Sequence, residues 1–155
     1  MTYTTTLYDT DFYTWTAQTV HLLRERRFSE LDLENLIEEI EDLGRSEYRA
    51  LGSRLEVLLI HLLKTKYQPE MYTKSWDLTI QEQRLRIHRL LRDNPGLKPK
   101  LPEAWEDAWK PALIQAQRET GLDADVFPLI NPFTLDDAIA LMNSALLPIA
   151  LPLIY

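Results

Sequence analysis

Apolar positions recur at the helical interval through most of the chain. Leu33, Ile37, Ile40, Gly44, Tyr48, Leu51, Leu55, Leu58 and Leu62 advance 29 residues in eight steps, about 3.6 per step, the α-helical repeat. The phase holds through Gly44 and Gly52, so the pattern predicts one helix over about 33–67, roughly 50 Å long at 1.5 Å per residue. Asp32 is placed to cap it. Gly44, near the middle of the apolar face, is expected to admit a neighbouring helix closely.

Shorter patterns flank this one. Phe12, Trp15, Thr19, Leu22 and Leu23 predict a helix over about 10–27, with Asp9 and Asp11 at its positive end and Arg24, Arg26 and Arg27 at its negative end. Gln68-Pro69-Glu70 stops the long helix, because proline disfavours helical geometry in its predecessor. Ser75 is the expected cap of the next helix, with Trp76, Ile80, Ile87, Leu90 and Leu91 on one face, and Asp93-Asn94-Pro95-Gly96 ends it. Pro102 suits a first turn, and Trp105, Ala108, Trp109, Ala112, Leu113 and Ala116 form the stripe of a helix ending at Gly121. Pro111 is expected to kink it. Thr134 with Asp137 resembles a capping box, aspartate standing where glutamate is usual, and opens a fifth helix. No strand-like alternation persists. The expectation is an all-α fold: a helical bundle of about five helices around one long central helix (about 33–67), as a single domain over 1–155.

Composition narrows the function classes. A chain of 155 residues can bury a core without staples. With no cysteine, disulfides, iron–sulfur clusters and thiolate zinc sites are excluded. The N-terminus lacks the basic start and apolar run of a secretory signal, so a cytoplasmic location is expected. Net charge is −7 and uneven: residues 1–68 carry 12 acids and 8 bases, residues 69–101 carry 4 and 7, and residues 102–155 carry 8 and 2. Only the middle segment could present a basic surface to phosphate.

Several short runs occur in combination: Tyr8-Asp9-x-Asp11-Phe12-Tyr13-x-Trp15, Leu31-Asp32-x-x-Asn35-Leu36-x-Glu38-Glu39-Ile40, Leu43-Gly44-Arg45-Ser46-Glu47, His61-Leu62-Leu63-Lys64, Tyr67-Gln68-Pro69-Glu70, Ser75-Trp76 and Thr79-Ile80-x-x-Gln83-Arg84. Together, over about residues 6–137, they resemble the bacterial family catalogued as domain of unknown function twenty-nine. The resemblance implies a small helical bundle and carries no activity, cofactor or catalytic residue. Proline at 111 and the tail beyond about 145 depart from the family pattern.

The sharpest chemical feature is Glu47, Arg54 and His61, spaced i, i+7 and i+14 on the long helix, at about 320°, 300° and 280° from Leu33. Glu47 is expected to point well into the core side, where an unpaired charge is costly. One reading is a polar pocket for an enzyme or small-ligand binder, joined by Trp76 and Arg84. The other is a structural network locking the long helix to its neighbours. His21, His61 and His88 show no metal-site spacing, and with no glycine-rich phosphate loop no metal or cofactor is implied. The acids Glu38, Glu39, Glu41 and Asp42 read as a solvated face, with Glu39 near enough to the stripe to pair with a basic neighbour. Arg84, Arg86, Arg89, Arg92, Lys98 and Lys100 form a candidate basic patch. It could bind nucleic-acid phosphate over residues 84–100, or match the acidic long helix. Aromatic interleaving is absent, which argues against single-strand binding.

Leu78 and Leu85 lie opposite the Trp76 face and are expected to be buried under later helices or to dock a partner. The stretch from Ala138 to Tyr155 is uncharged, but Pro148, Pro152 and the lack of flanking cations argue against a membrane span. The long helix outruns its neighbours, and its stripe continues to Leu62 and Leu63. The leading expectation is a non-enzymatic cytoplasmic interaction or adaptor module, forming a homodimer or binding a protein partner through the apolar tail (about 145–155) or an end of the long helix.

Overall fold

A computed structural model describes residues 5–141, so the apolar tail over 145–155 lies outside the described residues. The described residues form six α-helices and no strand: α1 (Leu7–Thr10), α2 (Phe12–Arg24), α3 (Leu33–Tyr67), α4 (Lys74–Asp93), α5 (Leu101–Thr120) and α6 (Leu135–Ile139), with short 3₁₀ turns between several of them. The long helix has the expected bounds. The chain divides inside it, after Ser46, into two compact units.

In the first unit, the helix expected over 10–27 starts two residues late and stops three early. Asp11 is the reason for the start: it ends α1 and caps α2, its carboxylate accepting from the Thr14 backbone at 3.0 Å and hydroxyl at 2.6 Å. The hydroxyl and backbone donors together hold the Asp11 carboxyl below its ordinary pKa. Trp15 and Thr19 are buried on α2. The rings of Tyr8 and Phe12 pack on Trp15 at 4.9 and 5.7 Å between centroids.

The core of the second unit is built on α3. Leu51, Leu55, Leu58, Leu59 and Leu63 are fully buried, facing Ile80, Ile87 and Leu91 of α4 and a seam of Ala104, Ala108, Ala112 and Ala116 on α5. Four alanines at i+4 spacing keep that face of α5 flat, and small side chains at the contact let two helices lie close. Gly121 ends α5 at φ 69°, the left-handed conformation that glycine adopts without a Cβ clash. Despite Pro111, α5 is helical from Leu101 to Thr120. Thr134 caps α6 as expected, accepting from the Asp137 backbone at 3.3 Å. Helix α4 begins at Lys74 with Thr73 at the capping position, two residues ahead of the expected Ser75 cap.

Two expectations about exposure are corrected and a third is narrowed to one of its alternatives. Leu62 and Leu63 are covered, and the uncovered end of α3 is the other one: Leu33, Ile37, Ile40 and Leu43 are 54, 54, 59 and 69% exposed. Apart from Gly44's chain neighbours and its own helix backbone, nothing among the described residues lies within 4 Å of where its Cβ would be, so the expected close helix contact is not there. Leu78 and Leu85 on α4 are 51 and 60% exposed, because α5 and α6 cover the opposite face.

One helical phase is therefore dry in its middle and wet at its start. Leu55→Ala should cost about 2–5 kcal/mol in a urea melt, the range for large-to-small changes in a packed core. Ile40→Ala should change stability by no more than about 0.5 kcal/mol. Equal losses at the two positions would show that the start of α3 is covered.

Candidate functional site

The five residues expected around a polar pocket have separate partners. Glu47 is exposed, its Oε2 accepting from the Asn94 side chain at 3.5 Å, so its expected placement in the core is corrected. It lies at the edge of the stripe, about 320° round from Leu33. Arg54 is half-buried along a groove between α3 and α4. His61 Nδ1 donates to the carbonyl of Val57 at 2.9 Å, one turn back on its own helix. Trp76 is half-buried beneath the Lys64 ammonium, 4.6 Å from its ring. Arg84 is buried. Among the described residues no hydrogen bond or ion pair joins any two of the five.

Arg84 has a specific task. It follows Ile80 by four residues and precedes Ile87 by three, which sets it in phase with the core face of α4. Its Nε donates to the carbonyl of Ala138 at 2.7 Å, and His88 Nε2 lies 2.7 Å from the carbonyl of Ile139. These are the last carbonyls of α6, which have no partner within their own helix and suit a cation. Burial pushes the Arg84 pKa down, while nearby Asp77 pulls the other way. Gln83, one residue earlier, is buried with Oε1 lacking any hydrogen-bond partner among the described residues.

A second polar group links α3 to α5. Lys64 Nζ lies 2.9 Å from Glu119, whose other oxygen accepts from Gln115 at 3.1 Å. Burial raises the Glu119 pKa, but the hydrogen bonds from Gln115 and Lys64 outweigh it and the net shift is downward. The i, i+7 series did not reveal this pair, whose members are far apart in sequence. Helical phase alone could have revealed Arg84 and Gln83.

The basic patch is reduced in three ways. Arg84 turns inward, Arg86 pairs with Glu82 at 2.6 Å, and Asp93 lies 3.8 Å from Arg89 and 3.1 Å from Arg92. Lys100 lies 3.8 Å from Glu103. The expected charge matching to α3 is replaced by pairs within one or two turns of the same chain. What remains is the groove of about 570 Å³ that Arg54, Arg86 and Arg89 line with Ala50, Leu85 and Leu90.

In the first unit, Glu39 accepts from the Tyr8 hydroxyl at 2.6 Å, so its partner is a phenol rather than a base. Arg45 bonds to Asp42 at 2.7 Å and approaches Glu41 at 3.5 Å. His21 lies 3.3 Å from Glu25, both well exposed. Among the described residues no three His, Asp or Glu side chains are placed to hold a metal ion, and no helix is long and apolar enough to cross a membrane.

The family model described as Domain of unknown function DUF29 matches residues 7–142, and the chain belongs to that family. Comparison with the curated proteins and with the solved structures gives no match.

Two outcomes follow from these placements. Glu47→Ala should change stability by no more than about 0.5 kcal/mol, as at an exposed site, whereas Arg84→Ala should cost roughly 2–3 kcal/mol through the lost charged hydrogen bond to a buried carbonyl. Denaturant melts of the two variants check the order; a costlier Glu47 variant would restore Glu47 to the core. Tyr8 gives a pH test. The hydrogen bond to Glu39, then burial, then the charges of Glu39, Glu38 and Asp42 push the phenol up to about 12. A raised folded-state pKa contributes stability in full below the ordinary value of 10.0 and loses it as pH rises towards 12. The stability difference between wild type and Tyr8→Phe should thus shrink between pH 9 and pH 11.5 in thermal melts. A constant difference would show that the phenol and Glu39 are uncoupled.

Proposed function

We propose that this chain is a non-enzymatic, cytoplasmic protein-interaction module that docks another polypeptide on the N-terminal third of α3. One observation carries the reading. A single apolar phase on one helix is fully buried at Leu51, Leu55 and Leu58 and more than half exposed at Leu33, Ile37 and Ile40. Contiguous apolar surface of this kind is uncommon on a free monomer and marks interaction sites. Val20, Leu23 and Phe28 of the same unit are also exposed, at 45, 40 and 56%, which widens the apolar surface of that unit. The polar candidates support the same reading by their separation: acid–base catalysis needs groups held within hydrogen-bond reach of one reacting atom, and Glu47, His61 and Arg84 each serve different backbone or side-chain partners.

Immobilised wild type and an Ile37→Asp/Ile40→Asp variant, both checked for helicity, are exposed to native extract supplemented with a tagged free copy of the same chain. At least one polypeptide should be held by the wild type and lost from the variant. Identical retention by the two would remove the N-terminal third of α3 as a docking surface, and with it this reading.

A further inference from the structure

The uncovered face of α3 has a definite chemistry. Between Leu33 and Gly44 there are five carboxylates and no cation; Arg45, the next residue, bonds Asp42 at 2.7 Å and approaches Glu41 at 3.5 Å in exposed pairs, which contribute little. Glu34 and Glu41, seven residues apart, lie about 100° and 80° round from Leu33 and so border the apolar stripe on one side. A second copy offering this same face would bring like charges together, which disfavours a simple self-pairing. The matching surface must be apolar with a basic rim.

Such a surface is present on the second unit. The groove between α3 and α4 has Ala50, Leu85 and Leu90 as its apolar lining and Arg54, Arg86 and Arg89 among them, with Glu82 and Asp93 also on its wall, so cations outnumber acids there by three to two. Leu85 is 60% exposed in it. Arg54 is half-buried and has no carboxylate within ion-pair distance among the described residues. Arg86 and Arg89 are held by Glu82 and Asp93 in pairs whose side chains are all more than half exposed. Exposed pairs of that kind contribute little, about 0–1 kcal/mol, so both arginines are free to turn to another carboxylate. The groove is open along α4, as a docked helix requires, and Leu78 extends its exposed apolar row by two turns.

We propose that the occupant of the α3 face is the α3/α4 groove of a second copy of this chain, with Glu34 and Glu41 of one copy meeting Arg54, Arg86 and Arg89 of the other. This rests on the interaction reading above and names its partner. Two unlike patches close into a two-fold pair when the exchange is reciprocal and extend into an open chain when it is not. Gly44, with nothing within 4 Å of its Cβ position, leaves room for the incoming backbone at the end of the stripe.

The test uses the full chain and three samples: Glu34→Arg/Glu41→Arg, Arg86→Glu/Arg89→Glu, and an equimolar mixture of the two, beside wild type. Mass is read by light scattering over a dilution series, with circular dichroism confirming that each variant folds. Wild type should assemble, each variant alone should weaken assembly by about tenfold or more, and the mixture should recover it, since a reversed stripe then meets a reversed groove. Added salt should weaken the wild-type assembly. Assembly that ignores both reversals would overturn the groove as the partner. A wild type that stays near 18.2 kDa at every concentration, yet loses an extract protein on Ile37→Asp/Ile40→Asp, would overturn the second copy and leave the interaction reading standing. A monomer that loses nothing on that substitution would end both.

Discussion

Five leucines of α3, at 51, 55, 58, 59 and 63, leave water completely, and every other element of the second unit is arranged around that fact. Complete burial of a leucine is worth about 1.5–3 kcal/mol, and it requires covering elements on more than one side of the helix. Helix α4 supplies isoleucine and leucine, α5 supplies a flat alanine seam with Trp105, and α6 adds Ala138. Leu135 and Ile139 of the short α6 pack half-buried against the same cluster. That helix is held by Arg84 and His88 at its two last carbonyls, so a cation on α4 fixes a backbone carbonyl 54 residues further along. The packing of the leucines and the orientation of Arg84 are one arrangement, because both depend on which face of α4 turns inward.

The same choice of face explains why the basic segment is a weaker surface than its composition implies. Seven cations lie between residues 69 and 101. One is drawn into the core, and the others nearest to it lie within reach of carboxylates one to four residues away. Short-range pairing on one helix needs little chain entropy, since the backbone already fixes the spacing. Within one chain these local pairs take the place of matching to the distant acidic helix, although each contributes little.

The start of α3 presents the opposite case. Its residues obey the same repeat as the buried leucines, and the helix is continuous from Leu33 to Tyr67, so the exposure of Leu33, Ile37 and Ile40 is not a local failure of structure. It reflects a shortage of covering elements among the described residues. The first unit commits α1 and α2 to the aromatic group of Tyr8, Phe12 and Trp15 and to the Tyr8–Glu39 bond. Apolar surface left in this state is consistent with an interaction protein, since the same stripe would otherwise be a liability.

Periodicity together with local stop signals determined the three longest helices. Nine residues in one phase, a proline after Gln68, the Asp93-Asn94-Pro95-Gly96 break and a glycine at 121 place α3, α4 and α5 to within a residue or two, because helix boundaries depend on local backbone sterics and on nearest-neighbour capping. The start of α2 was less legible, since Asp9 and Asp11 both look like caps and only the Thr14 contacts choose between them. Arg84 was legible in principle, being in phase with Ile80 and Ile87, but a cation on a core face needs a partner, and the partner is a backbone carbonyl that carries no side-chain signature. Glu47 shows the converse: its helical angle was readable, its exposure was not. An angle states which way a side chain points, whereas burial depends on what another element places there. That Ile40 is wet and Leu55 dry is set by the distant segments that do or do not reach them, and only the tertiary structure decides that.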